Sequence, residues 1–401
     1  MIKLTNNYMT IGAVAAILMT SMFSSAQDVT IRKSAAADNP PLYVRNVQGP
    51  AEVRRQLENV LQRCGWFELV AAPERARYVL DASYARSGAA ALKVRVSSGG
   101  REMVSFTRTG KGAAAERVVY AAVDTLIEKI FGNPGPCDSR IAFVLGQGGR
   151  KEIFTCNFDG TGARQFTRNG TISTEPDWGP DGTQLVYTLY NRNRTSVILA
   201  DVARGRQRHV AAFPGLNSGA TIAPGKNRIV LSLSVDRQVD LYTVTMNGKP
   251  EKRLTKSVAV ESSPCWSADG SQVCFVSDAA GRPRLYVMPL GGGRTRRLLR
   301  NAAEQVSPDW SAVSNKICFS TRRDGQYVIA VADMNEGGGA MKVVTTGAGD
   351  WEAPSWAPDG RHLVCVHTHG DVQRLCMVDT LSGRVVPIIQ KRGISLPSWG
   401  G

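Results

Sequence analysis

No Cys-x-x-Cys pair occurs in the 401 residues, although eight cysteines are spread through them. Zinc ribbons and thioredoxin-like redox sites need two thiols at that spacing and have no footing here. Eight thiols are also too sparse in a chain this long for the disulfide-scaffold class, and their pairing is open. Cys274, Cys318 and Cys365 stand in apolar, strand-like runs, as small buried hydrophobes do. A Gly-x-Ser-x-Gly elbow is missing too, since Gly215-Leu-Asn-Ser-Gly219 has the wrong spacing. Gly219 to Lys226 imitates a phosphate loop, but five residues separate its glycines and Asn227 follows the lysine, so it reads as a hairpin. His367 and His369 would share one side of a strand, yet two ligands make no zinc site. No catalytic residue, metal or cofactor is expected.

Long apolar runs are missing beyond the N-terminus, and no later stretch approaches the roughly 18 residues of a membrane span. The start itself has Lys3, an apolar run over 11–23, and Ser24-Ser25-Ala26. Basic start, short apolar core and small residues predict a cleavable export signal over residues 1–26. The first cysteine, Cys64, lies too far along to be a lipid-anchoring residue at the cleavage site. The formal charge of +15 is spread over both halves of the chain. Its arginine clusters lack the interleaved aromatics that stack bases, so nucleic acid is not an expected partner, whereas acidic proteins, lipopolysaccharide or an anionic membrane surface of the envelope are.

What the sequence does hold is a repeat. Trp178, Trp266, Trp310, Trp356 and Trp399 each close a Pro-x-Trp, and Ile222 takes the equivalent place after the first, at separations of 44, 44, 44, 46 and 43. That period fits four short strands per unit, as in a β-propeller blade. One unit from Ser263 reads as PCW, an Ala-Asp-Gly turn, SQVCFVS, a turn at Ala280-Gly281, RLYVMPL, a glycine turn and RTRRLLR. In the unit that opens with Pro308-Asp309-Trp310, Val313-Ser314 replaces the usual Asp-Gly. Such a sheet cannot bury both faces alone, so it stacks on copies of itself. Five units are full. The segment from Arg140 lacks its opening strand, and Leu396-Pro397-Ser398-Trp399 supplies an opening strand with no successors. The expected fold is therefore mainly β, a six-bladed β-propeller over residues 137–401 closed by the C-terminal strand, with no exposed sheet edge between the ends.

Residues 27–136 carry no repeat. Val53, Leu57, Val60, Leu61 and Cys64 share one helical face between Pro50 and Gly65. Strand candidates follow at 67–71, 78–84, 92–96 and 103–107, then a second helix over 113–131 ending at Gly132. A small α+β domain is expected, joined to the propeller by the stiff connector 133–138, after a polar leader.

Together these features resemble the TolB family, the periplasmic propeller proteins of the Tol-Pal envelope system of Gram-negative bacteria. The resemblance rests on QLENVLQRCGWFELV (56–70), IFGNPGPCDSRIAFV (130–144), SDAAGRPRLYVM (277–288) and the terminal LPSW. It implies a non-catalytic, monomeric periplasmic scaffold that binds the peptidoglycan-associated lipoprotein Pal at the channel mouth and supports the outer membrane during division. It also implies a TolA contact through the N-terminal leader, although residues 28–38 show no clear TolA-binding sequence. The residues just ahead of each Pro-x-Trp should rim that mouth: Glu175, Asn217, Ser218, Glu261, Ser262, Ser263, Glu304, Gln305 and Glu352. Pro-x-Trp with Asp-Gly also occurs in the propellers of prolyl-oligopeptidase-like peptidases, which makes a peptide- or sugar-binding module the alternative.

Overall fold

A computed structural model describes residues 39–235, 237–299, 303–337 and 339–400. The apolar run 11–23 and the leader 28–38 lie outside them. Among the described residues no helix is long and apolar enough to cross a membrane.

The chain first builds a five-stranded sheet with helices packed on it. β1 (Pro41–Gln48) leads into α1 (Ala51–Arg63), whose buried stripe is Val53, Leu57, Val60 and Leu61, with Cys64 buried at its end. β2 (Glu68–Leu69), β3 (Tyr78–Ser87), β4 (Ala89–Ser98) and β5 (Arg101–Gly110) complete the sheet in the order β2-β1-β3-β4-β5. β1 escaped the sequence reading. Only its first half alternates buried and part-exposed residues, because Asn46 follows a register shift against β3. The second predicted helix is divided into α2 (Ala113–Glu116) and α3 (Val118–Phe131). Arg117, at the break, donates to Asp138 Oδ1, Asn157 Oδ1 and the Ser139 carbonyl, tying the helix start to the propeller.

The remaining strands form the propeller. Blade 1 holds β6 (Arg140–Gln147), β7 (Arg150–Asn157) and β8 (Arg164–Gln165). Its innermost strand is Ile394–Gly400, paired antiparallel with β6 from Ile394↔Leu145 to Gly400↔Arg140. Blades 2 to 6 open with Ile172–Trp178, Asn217–Ile222, Glu261–Trp266, Gln305–Trp310 and Asp350–Trp356, and each adds three antiparallel strands outward. The bridge Lys151↔Ile172 joins the first two sheets. The repeat tryptophans are buried, and so is Ile222 in the place of one. Trp266 Nε1 donates to the Thr221 carbonyl and Trp356 Nε1 to the Asp309 carbonyl, each crossing to the preceding blade. These indoles satisfy their one donor while burying a large apolar face. All eight cysteines are buried free thiols.

The N-terminal sheet and helices sit against blades 6 and 1. Trp66 Nε1 donates to Asp359 Oδ2 (3.0 Å), His362 Nδ1 lies 2.6 Å from the same oxygen, and the Arg361 guanidinium lies over the Trp66 ring. Tyr120 donates to Asp159 Oδ2 in blade 1 (3.2 Å), and Arg63 to the Asp159 carbonyl (3.2 Å). Asp159 and Asp359 both sit in turns at the end of the disc where inner strands finish, so the end where inner strands begin is left uncovered by these contacts.

Candidate functional site: the central channel

The channel is built from six unpaired strand edges. In an antiparallel blade the innermost strand lacks a partner on its inner side, and its free N–H and C=O groups face the axis. The enclosed space is about 460 Å³ and is lined by all six Pro-x-Trp segments or their equivalents.

Each inner strand carries the same irregularity. Pairing with the second strand slips between Ser218 and Thr221, Ser262 and Cys265, Val306 and Asp309, Glu352 and Ser355, and Ser395 and Ser398, and likewise in blade 2. At every slip one residue adopts a left-handed backbone, with φ between 46° and 59°: Glu175, Gly219, Ser263, Ser307, Ala353 and Leu396. Five are not glycine and directly precede proline, a combination that sterics disfavour. Such strain costs roughly 1–3 kcal/mol per residue and persists where the surroundings enforce it, often at binding sites. Gly219 N–H donates to Glu175 Oε2 and Ala353 N–H to Ser320 Oγ, so two freed amides are held by side chains of the preceding blade.

One level further in, the middle residue of each Pro-x-Trp forms a polar belt of Asp177, Thr221, Cys265, Asp309, Ser355 and Ser398. Its members reach across the blade boundaries. Asp309 Oδ2 accepts from Trp356 N–H (2.7 Å) and Ser355 Oγ (3.0 Å), Ser355 Oγ accepts from Trp399 N–H (3.0 Å), and Ser398 Oγ accepts from Trp178 N–H (3.3 Å). At Asp309, Ser355 and Ser398 the middle residue thus clasps the next blade's tryptophan backbone. Asp177 and Asp309 come from blades 2 and 5, opposite one another in a ring of six. Burial pushes the Asp177 carboxyl up to about 7, and the charge of Asp309 adds to the rise. Burial raises Asp309 as well, against hydrogen bonds from Trp356 and Ser355.

A pH dependence follows. The folded value of Asp177 lies above its unfolded one, so its favourable contribution is complete below about pH 4 and is lost as pH climbs through about 7. Asp177→Asn should therefore raise stability at pH 8 by about 2 kcal/mol, near half the full linkage value because the channel keeps the group partly wet. It should leave stability at pH 4 unchanged. Urea denaturation at both pH values is the check, and equal shifts at the two would refute it.

The nine rim residues expected from sequence divide in two. Glu175 and Ser263 line the channel, and Ser262, Glu304 and Glu352 reach solvent around it. Asn217, Ser218, Glu261 and Gln305 are buried. Asn217 accepts from Phe213 N–H and donates to the Phe213, Gly215 and Thr195 carbonyls, while Gln305 Oε1 accepts from Leu285 N–H. Glu261 Oε1 accepts from Ser257 and Ser277. All three brace the entry loops through these bonds, with Glu261 Oε2 and Gln305 Nε2 left without a partner among the described residues. The belt was overlooked, although its signal was in plain view as the variable letter of Pro-x-Trp. His367 does not gather a metal set; its ring stacks on Trp351 at 3.9 Å. Among the described residues no group of three His, Cys, Asp or Glu is placed to hold a metal ion.

Residues 127–401 match the TolB beta propeller domain model. The Protein TolB homolog of Chlorobium luteolum is 30% identical over 197 residues, covering 48% of this chain and 44% of that one. The Tol-Pal system protein TolB of Desulfosudis oleivorans is 33% identical over 148 residues, covering 37% and 34%. The chain thus spans less than half the length of these curated relatives. The crystal structure of TolB from Acinetobacter baumannii superposes with a TM-score of 0.82 at 19% identity, over 91% of this chain and 97% of that one, which is a likeness of fold.

Proposed function

Since this chain belongs to the TolB β-propeller family, we propose that it is a non-catalytic periplasmic scaffold of a Tol-Pal-like envelope system. Residues 1–26 serve as its export signal and 27–136 as a separate unit ahead of the disc. Its partner is a Pal-like lipoprotein, a loop of which enters the propeller channel, and the pair supports outer-membrane integrity during division. A TolA-like protein is the second partner, through the leader.

The observation that carries this reading is the ring of six left-handed residues around one channel end. Each bulge turns strand-edge amides and carbonyls toward the axis, and a loop inserted there finds main-chain hydrogen bonds on every side without needing a particular side chain. The strain is built in beforehand, so little ordering is left for the moment of binding.

The test is calorimetry with the soluble domain of the Pal-like lipoprotein encoded by the same organism. Ser263 is exposed, and its side chain makes no structural hydrogen bond among the described residues. Ser263→Trp combined with Ser307→Trp should weaken binding at least tenfold and shift the melting temperature by less than 2 °C. An unchanged affinity would remove the channel from the reading.

A further inference from the structure

In a four-stranded antiparallel blade, the start of the first strand lies at the same end as the turn between the second and third. The middle hairpins therefore surround the channel end where the left-handed residues sit. In five consecutive blades the tip of that hairpin exposes arginine: Arg150 in blade 1, Arg192 and Arg194 in blade 2, Arg237 in blade 3, Arg282 in blade 4 and Arg322 in blade 5. Blade 6 has Gly370-Asp371 instead. None of these six arginines forms an ion pair among the described residues, and Arg322 lies over the Tyr327 ring. Beside Arg237 the same face exposes Val235, Val258 and Val260, with Val258 98% exposed. The contacts of the N-terminal unit fall on the opposite end of the disc, at Asp159 and Asp359.

We infer that this arginine-tipped annulus, with the valine patch at blades 3 and 4, docks an acidic protein surface that also carries an apolar contact. The inference rests on the lipoprotein reading above and specifies the surface that partner must present. Guanidinium groups match carboxylates in a bidentate fork, and a ring of them steers an acidic partner toward the channel from a distance. A lipid surface fits less well, because the exposed large hydrophobics of this face are valines and no tryptophan or leucine stands among them as an anchor. The gap at Asp371 makes the annulus one-sided, so it also fixes how a partner is turned about the channel axis.

The experiment uses the mature full chain and the soluble domain of the Pal-like lipoprotein. Affinity should fall at least tenfold between 50 and 300 mM salt, chiefly through the association rate. Arg192→Glu, Arg194→Glu, Arg282→Glu and Arg322→Glu together should weaken binding at least tenfold at low salt, with the melting temperature held within 2 °C. Val258→Asp should weaken it about fivefold. Salt-insensitive binding that survives the four reversals overturns the annulus and leaves the channel reading standing. If the parent chain binds no lipoprotein while Ser263→Trp and the reversals are equally silent, both readings fall. Capture on phosphatidylglycerol vesicles that the reversals abolish, without a salt-dependent lipoprotein interaction, assigns the face to lipid and overturns the protein dock.

Discussion

Truncation after Gly393 is expected to abolish cooperative unfolding, or to lower the melting temperature by more than 15 °C. The segment removed is the only partner of the inner side of β6, and Ile394 and Trp399 are 1% and 5% exposed. Trp399 Nε1 donates to Ser139 Oγ (2.6 Å), and its N–H to Ser355 Oγ. Loss of Trp399 alone should cost about 4 kcal/mol. Loss of the strand also bares the β6 edge and strips blades 6 and 2 of their shared neighbour, which takes the total beyond 5 kcal/mol, the scale of a whole domain's stability. Gly400 fits only because it has no side chain, since a Cβ there would meet Trp178 Cβ at 2.3 Å. Calorimetry of the truncated chain decides the matter, and a melt within 2 °C of the parent would show that the ring does not depend on its last strand.

The second large effect is expected at the seam between the N-terminal unit and blade 6. Asp359 is 1% exposed and accepts from Trp66 Nε1 and from the Arg361 and His362 amides, with His362 Nδ1 2.6 Å from its Oδ2. Asp359→Ala strands a buried indole donor and a buried imidazole, and should cost about 3–5 kcal/mol. Burial alone would push the Asp359 carboxyl up, but the His362 ring and the backbone donors hold it below its ordinary value, and Asp379 is likewise held down by Arg361. A depressed carboxylate stabilises above its unfolded value, about 3.9, and that stability is lost as pH falls through the lower folded value. The parent should therefore lose stability steeply below about pH 4, and Asp359→Ala should flatten that limb. Gly65 belongs to the same seam, with a positive φ and a Cβ position 2.5 Å from His362 Nε2, so Gly65→Ala should imitate part of the loss. Thermal melts at pH 3 and pH 7 test both variants, and parallel pH profiles would contradict the account.

The repeat was legible because its unit is written in residues with one local purpose each. Proline and tryptophan mark five of the six inner strands, and Asp-Gly marks the turn after three of them. A blade could therefore be counted even where Ile222 stands for tryptophan, since the spacing persists and the isoleucine remains buried. The turn at Val313-Ser314 departs from the pattern, and the structure shows that Asn315 takes the positive φ, with its side chain accepting from Trp310 Nε1. The α1 face was readable from its period. β1 was not, because a strand paired in parallel on both sides draws its signal from neighbours distant in sequence. The burial of Asn217, Ser218, Glu261 and Gln305 was not legible for a related reason. Asn217 and Gln305 have the polarity of contact residues, and only the loops folding over them show that the Asn217 amide and Gln305 Oε1 are already bonded within the chain. The left-handed residues share no residue type, being Glu, Gly, Ser, Ser, Ala and Leu in turn, and only their place before the repeat proline in five blades marks them.

Closure by residues 394–400 has a consequence for the order of events in synthesis. Blade 1 takes three strands from near residue 150 and its fourth from the far end of the chain, so Trp399 meets Ser139 across 260 positions. The disc cannot close before residues 394–400 have been synthesised. Ring closure is therefore a late, long-range contact, and β6 keeps an open inner edge until residues 394–400 pair with it.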